Sequence, residues 1–295
     1  MKTKIHLPLF HIDHLIYPIV EGAFICKNGT YLDGFFMVDS GSTDNIFNNE
    51  AVHLLPDEAI SQECRQVNAI NNIGESCKVA DVKIKVGDIE DVEQFNISQN
   101  LNFSKFFGKN RIIGVLGAGF MRKNGLVLDY SQRCVRSSEM EQFTDEGKQF
   151  VCPMSVGYYA YGIPLVCLTN GEEEFFCVAD SGCNTNTLTR HAMENGTKNY
   201  EHIDGQNALY TISGESITDL AKVDFSLMSV WEDEQKEAGL IPDTDIFQII
   251  SGQKHLCWCD NEEIPPISGL ISSGFMLRNK WILDFNVGYI YVNAA

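Results

Sequence analysis

The chain has 295 residues, 44% of them hydrophobic and 21% charged, and its 22 Lys and Arg against 40 Asp and Glu leave a formal net charge of −18. This is the composition of a water-soluble globule with room for one core or two. The acidic excess argues against a nucleic-acid partner, because phosphate binding needs clustered basic residues, and no apolar run approaches the ~20 residues that cross a bilayer, so no membrane partner is expected.

The first residues, Met1 to Pro8, start basic, but His11, Asp13 and His14 interrupt the apolar stretch that a secretion signal needs. A cytoplasmic protein is therefore expected, with its ten cysteines reduced. Cys26, Cys167 and Cys177 fall in apolar, strand-like stretches, where a buried thiol acts as a small hydrophobe. The Asn-x-Ser/Thr matches at Asn28, Asn96, Asn102 and Asn195 then read as chance.

Further elements follow in order. Leu15 to Val20, Ala23 to Lys27, Phe35 to Val38 and Val79 to Val86 are rich in β-branched and aromatic residues and read as strands. Lys27-Asn28-Gly29 and Leu32-Asp33-Gly34 read as the turns between them. Asn49 to Leu55 suits a short helix, and another is expected after Gly117. Ser131 to Gln149 is polar and reads as a linker. Strands return at Ile163 to Leu168 and Phe175 to Ala179, around a turn at Thr169-Asn170-Gly171. A helix over Arg190 to Glu194 has Thr189 to cap it and Gly196 to close it. Trp231 to Glu263 reads as an excursion before a last short helix after Ser272. The fold class expected is all-β, with a few short helices.

The most specific signal is a repeat. Phe35 to Ser42 runs an apolar strand into Asp39-Ser40-Gly41, and Phe176 to Cys183 runs another into Asp180-Ser181-Gly182. Gly74-Glu75-Ser76 follows the first turn and Gly214-Glu215-Ser216 the second, 35 and 34 positions after their aspartates (74 − 39 and 214 − 180). Gly114 to Met121 is matched by Gly269 to Met276, and Asp129 by Asp284. Two units of this size imply a duplicated domain and not a solenoid. The boundaries expected are 1–145, with Asp39, and 146–295, with Asp180. Gly114 lies 75 positions after Asp39 and Gly269 lies 89 after Asp180, so the second half carries 14 extra residues there (89 − 75).

One carboxylate per half, each on a Ser-Gly turn, suggests a symmetric pair that shares a proton and activates water. Gly41 and Gly182 let backbone amides approach the carboxylates, and Ser40 and Ser181 are placed to bond across the halves. Ser42 is expected to donate its hydroxyl to Asp39, whereas Cys183 offers Asp180 a weak donor, which would leave the shared proton on Asp180. His11 and His14 have no partner cluster, and Cys257-Trp258-Cys259 lacks a second thiol pair, so no metal site is expected. Gly117-Ala118-Gly119 lacks the spacing of a nucleotide loop, and no cofactor is expected.

Val38-Asp39-Ser40-Gly41-Ser42-Thr43 and Ala179-Asp180-Ser181-Gly182 resemble the active-site turns of aspartic proteases. Val115-Leu116-Gly117, Phe120-Met121 and Leu126 to Asp129 resemble the element that closes retropepsin-like domains. The resemblance spans nearly the whole chain as two such domains in tandem. It implies a bilobal pepsin/retropepsin-like fold of two pseudo-twofold related β-barrel-like lobes, and an endopeptidase in which water is activated between Asp39 and Asp180. It also implies a polypeptide substrate under flap hairpins near Asn68 to Gly74 and Asn207 to Gly214, with Asn71, Asn72, Ile73, Gly74, Tyr210, Ile212 and Gly214 touching it. One chain supplies both aspartates, so a monomer acting as an internal pseudo-dimer is expected. Cys183 and Ser272 depart from the family pattern, which leaves a catalytically inactive, peptide-binding relative as the alternative.

Overall fold

A computed structural model describes residues 6–12, 15–68, 74–99, 111–138, 149–153, 163–211, 214–229, 239–256 and 266–293. The first half contains β1 (His6–Pro8), β2 (Phe10–Ile12), β3 (Leu15–Ile25), β4 (Tyr31–Asp39), β5 (Asn45–Phe47), β6 (Ile60–Asn68), β7 (Gly74–Val86), β8 (Ile89–Ile97) and β9 (Ile112–Gly117). It ends with helix α1 (Ala118–Lys123), β10 (Leu126–Asp129) and β11 (Cys134–Ser137). The second half contains β12 (Gln149–Pro153), β13 (Leu165–Thr169), β14 (Glu174–Asp180), β15 (Asn186–Thr189), helix α2 (Arg190–Gly196), β16 (Asn199–Thr211), β17 (Gly214–Ser229) and β18 (Gly239–Ile250). It closes with β19 (Ile267–Ser272), helix α3 (Ser273–Arg278), β20 (Ile282–Asp284) and β21 (Tyr289–Asn293). The protein is mainly β, and among the described residues no helix is long and apolar enough to cross a membrane.

Two sheets repeat one topology. The first runs β2-β3-β4-β9-β5-β8-β7-β6, with an added β3–β7 pairing. The second runs β13-β14-β19-β15-β18-β17-β16, with an added β13–β17 pairing. Apart from β2, the strands match one for one. In both, the strand that ends in the Asp-Ser-Gly turn is parallel to the strand that ends before the short helix. A third sheet, β1-β11-β10-β20-β21-β12, draws strands from both halves, and β10 meets β20 at its centre through Val127↔Asp284, Leu128↔Leu283 and Asp129↔Ile282.

Several sequence readings change here. Leu15 to Ile25 is one strand, and Leu32-Asp33-Gly34 lies inside β4 and is no turn. Gly22 and Gly34 are register partners across β3 and β4. A Cβ on Gly34 would lie 2.8 Å from the Arg111 carbonyl oxygen, and one on Gly22 would lie 2.7 Å from the Phe36 ring. These glycines mark close approach, which sequence cannot tell from a turn signal. Part of the expected linker, Cys134–Ser137, is a strand of the shared sheet. Part of the expected excursion, Gly239–Ile250, is β18, the counterpart of β8. The segment read as a helix after Asn48 is 3-10 in form over Asn49–Leu54, with the Asn48 side chain accepting from the Glu50 amide. The Thr189 cap forms as expected, accepting from the Ala192 amide. Gly196 is required by space, since a Cβ there would lie 2.2 Å from the Phe175 ring.

Each barrel-like sheet closes on aromatic residues. Phe24, Phe36, Phe47 and Phe95 fill the first, with the Phe24 and Phe47 rings edge to face at 5.3 Å. Phe225, Phe247, Phe275 and Trp281 fill the second, with Phe225 and Phe247 at 5.4 Å. Fully burying such a side chain contributes about 1.5–3 kcal/mol, so these clusters fix the frames that carry the turns.

Candidate functional site

Asp39 ends β4 in register with Gly117 of β9, and Asp180 ends β14 in register with Ser272 of β19. Side chains alternate along a strand, so Val38 and Ala179 point into the main core. Met37 shares the Asp39 face and packs with Ile19, Ile46, Ile112 and Val115. Val178 shares the Asp180 face and packs with Leu165, Leu256, Ile267 and Leu270. Each carboxylate therefore stands at the end of a strand clamped on both faces.

The two turns interlock as the repeat suggested. The Ser40 hydroxyl donates to the Ala179 carbonyl at 2.6 Å and accepts the Ser181 amide at 2.9 Å. The Ser181 hydroxyl donates to the Val38 carbonyl at 2.8 Å and accepts the Ser40 amide at 2.8 Å. Both serines are fully buried. A Cβ on Gly41 would lie 2.5 Å from the Asp180 carboxyl carbon, and one on Gly182 would lie 2.4 Å from Asp39 Oδ2. Each glycine leaves the space that the opposite carboxylate fills.

The carboxyl groups of Asp39 and Asp180 thus lie against the opposite turns, close enough for each to act on the titration of the other. Asp39 Oδ1 accepts the amides of Gly41 at 2.9 Å and Ser42 at 3.2 Å, and Asp180 Oδ1 accepts the Gly182 amide at 2.8 Å. Removal from water raises the pKa of both, and Asp180, facing the charge of Asp39, is raised well above the usual carboxylate range. The pair therefore favours sharing one proton, and two backbone amides hold the Asp39 carboxyl where one holds that of Asp180.

The sequence reading put that proton on Asp180 through a bond from Ser42 to Asp39, and that bond does not form. The Ser42 hydroxyl donates to the Asp44 carbonyl at 2.7 Å and not to Asp39. The Cys183 thiol makes the equivalent bond to the Thr185 carbonyl at 2.9 Å. Burial, reinforced by Asp180, pushes that thiol up to about 12, so it stays protonated and can donate. Cys183 thus reproduces the bond that Ser42 makes.

Ser272 also keeps its frame. Its amide donates to Asn186 Oδ1 at 2.8 Å, as the Gly117 amide donates to Asn45 Oδ1 at 3.0 Å. The next amides, of Ser273 and Ala118, donate to the carbonyls of Cys183 and Ser42 at 2.9 and 2.8 Å. The added Ser272 hydroxyl accepts the Phe275 amide at 3.3 Å and caps α3. Asn45 and Asn186 were missed in the sequence, although each stands six positions after its aspartate (45 − 39 and 186 − 180). Asp129 and Asp284, the other matched aspartates, are buried turn formers. Asp129 accepts from Ser131, Gln132 and Arg136, and Asp284 from Ser138, Asn286 and Val287.

The residues expected in flaps are placed in part. β6 and β7 pair from Asn68↔Gly74, and β16 and β17 pair through Tyr210↔Glu215 and Thr211↔Gly214. Asn71, Asn72, Ile73 and Ile212 lie outside the described residues. Glu75, beside the connecting end of the first hairpin, accepts the Ser98 hydroxyl at 2.7 Å and the Gln99 amide at 2.6 Å. Among the described residues no group of three or more His, Cys, Asp or Glu is placed to hold a metal ion.

Neither a family model nor a curated protein matches this chain.

Two neighbouring carboxyls that hold one proton present a base and an acid side by side. Such a pair can take a proton from water with one oxygen and give one to a carbonyl with another.

Proposed function

We propose that the chain is an aspartic endopeptidase with a bilobal, pepsin/retropepsin-like architecture, each half supplying one carboxyl group. The observation that carries this reading is that the Asp39 and Asp180 carboxyls each fill the space left by the glycine of the opposite turn, while Ser40 and Ser181 interlock the two turns. Ionised Asp39 accepts a proton from the attacking water as the new C–O bond forms. Protonated Asp180 donates to the oxygen of the scissile carbonyl. Collapse of the tetrahedral adduct breaks the C–N bond: the amine leaves with the proton that Asp39 took up, and an adduct hydroxyl returns its proton to Asp180 as the carboxyl C=O re-forms, which restores the pair. The substrate is an extended polypeptide that lies between the halves and pairs with the hairpins β6–β7 and β16–β17 as an added strand. One chain holds both carboxyls, so a monomer suffices, and the reaction needs no metal or cofactor.

Digestion of a peptide library between about pH 3 and 8, read by mass spectrometry, tests the proposal. New termini that vanish in Asp39→Asn and Asp180→Asn are expected. A folded wild-type protein that binds peptides but cuts none at any pH would overturn the endopeptidase reading and favour a peptide-binding protein.

A further inference from the structure

One polar pair behind the two turns breaks the symmetry of the halves. Tyr130, which follows β10, and Ser273, which opens α3, join their hydroxyls at 2.9 Å. Tyr130 is 2% exposed and Ser273 is 0% exposed. Their counterparts, 155 positions away (285 − 130 and 273 − 118), are Phe285 and Ala118, both buried and without a side-chain hydroxyl. The backbone at these places does not differ. The Tyr130 amide donates to the Trp281 carbonyl at 3.0 Å, and the Phe285 amide donates to the Leu126 carbonyl at 3.0 Å. The molecule thus packs the same corner twice, once with Tyr and Ser and once with Phe and Ala.

The polar corner lies on the Asp180 side. Ser273 follows Ser272, the register partner of Asp180, and its amide is bonded to the Cys183 carbonyl. The phenol of Tyr130 also lies beside the Ser181 hydroxyl, with Asp180 and then Asp39 acting on it. Among the described residues, the other titratable groups that face the two carboxyls are the phenol of Tyr17, from β3, and the thiol of Cys183, from the turn after β14. Burial holds all three neutral. The hydroxyls of Tyr130 and Ser273 are dipoles that rotate, and they reorient toward a charge where a Phe–Ala surface cannot.

We infer that Tyr130 and Ser273 are positioning residues of the Asp39–Asp180 pair: their linked hydroxyls ease the loss of its last proton and so set the alkaline limit of the singly protonated state. The inference rests on the endopeptidase reading for its catalytic consequence, but not for its effect on titration.

The double variant Tyr130→Phe with Ser273→Ala copies a corner that this protein already packs and leaves no buried hydroxyl without a partner. Carbon-13 NMR of the Asp carboxyls should show the upper apparent titration step of the pair moving to higher pH by about half a unit. The alkaline limb of peptide cleavage should move with it, giving about threefold more activity at a fixed pH on that limb. KM and the acidic limb should stay in place, an outcome that general loosening would not produce. An upper step that stays put or falls, in a variant with a well-dispersed spectrum, overturns the inference. If the double variant fails to fold, Ser273→Ala alone carries the same test with a smaller expected shift. If the wild-type protein cuts no peptide, the endopeptidase reading fails, while the NMR titration still decides this point.

Discussion

The two Asp-Ser-Gly turns solve one problem with different residues. After Asp39 come Ser42 and Gly117, and after Asp180 come Cys183 and Ser272, yet the bonds that these four residues make to the frame of each turn correspond, the Ser42 amide to Asp39 and the Ser272 cap being the additions. What is held constant is mostly backbone: amides pointed at carboxyls, and strand ends held by Asn45 and Asn186. A side chain is free to change where its task is to reach a nearby carbonyl, as Ser42 and Cys183 both do. It is fixed where it crosses between the halves, as Ser40 and Ser181 do, or where no atom fits, as at Gly41 and Gly182.

The hardest way to break this likeness is to remove one carboxylate. Asp39→Asn and Asp180→Asn should each reduce peptide cleavage by about 10²–10⁴-fold, and the double variant should be no worse than either, because the pair acts as a unit. Near-normal turnover in one of them would show that the halves do not share the chemistry.

The crossing serines come next. Ser40→Ala strands the buried Ser181 amide, and Ser181→Ala strands the Ser40 amide. Each should lower stability by about 1–3 kcal/mol, and the two losses measured by urea unfolding should agree closely. A large difference would mean that one half anchors the other.

A reciprocal swap sharpens the comparison further. Gly117→Ser puts a Cβ 2.5 Å from the Asp44 carbonyl oxygen and should cost about 1–3 kcal/mol. Ser272→Gly loses a helix cap and should cost a few tenths of a kcal/mol. Equal costs at the two positions would show that the frames tolerate Cβ alike.

The pH dependence of stability reports on the raised pKa of the pair. The pKa of Asp180 is raised in the folded protein. Its contribution to stability is therefore fully present below the unfolded carboxyl value, about 3.9, and is lost as pH rises through the folded value. Asp180→Asn keeps a neutral donor beside Asp39 without that loss. It should melt above the wild-type protein at neutral pH and converge with it in acid; a variant less stable than wild type at neutral pH would contradict the raised pKa.

The smallest effect is expected at Cys183. Cys183→Ser should leave cleavage and its pH profile nearly unchanged, because a hydroxyl would reach the same Thr185 carbonyl. A shifted acidic limb would restore the reading in which this position donates directly to Asp180.

The repeat made the matched sheets and both aspartates legible, because strand-then-turn phrases survive as phrases. Asn45 and Asn186 were legible in principle, since each keeps its spacing from an aspartate. The roles of Ser42 and Gly34 were not. A hydroxyl beside a carboxylate in sequence chooses its acceptor in three dimensions, and a glycine demanded by the nearby Arg111 carbonyl reads like one demanded by a turn. The excursion after Trp231 hid β18 because Gly239–Ile250 mixes Pro242, Asp243 and Asp245 with its apolar residues. Tyr130 had no signal at all, as its counterpart is Phe285.

The sheet shared by both halves also constrains how the chain is made. A ribosome delivers β10 long before β20, so a nascent first half exposes Leu126–Asp129, a strand buried along its length in the finished protein, as an open edge. Such edges invite pairing with other chains. The strand that covers it, Ile282–Asp284, follows 153 positions later (282 − 129). Completion of the seam thus waits on the second half, and a chain that stopped short of Ile282 would carry both aspartates beside an uncapped, aggregation-prone border.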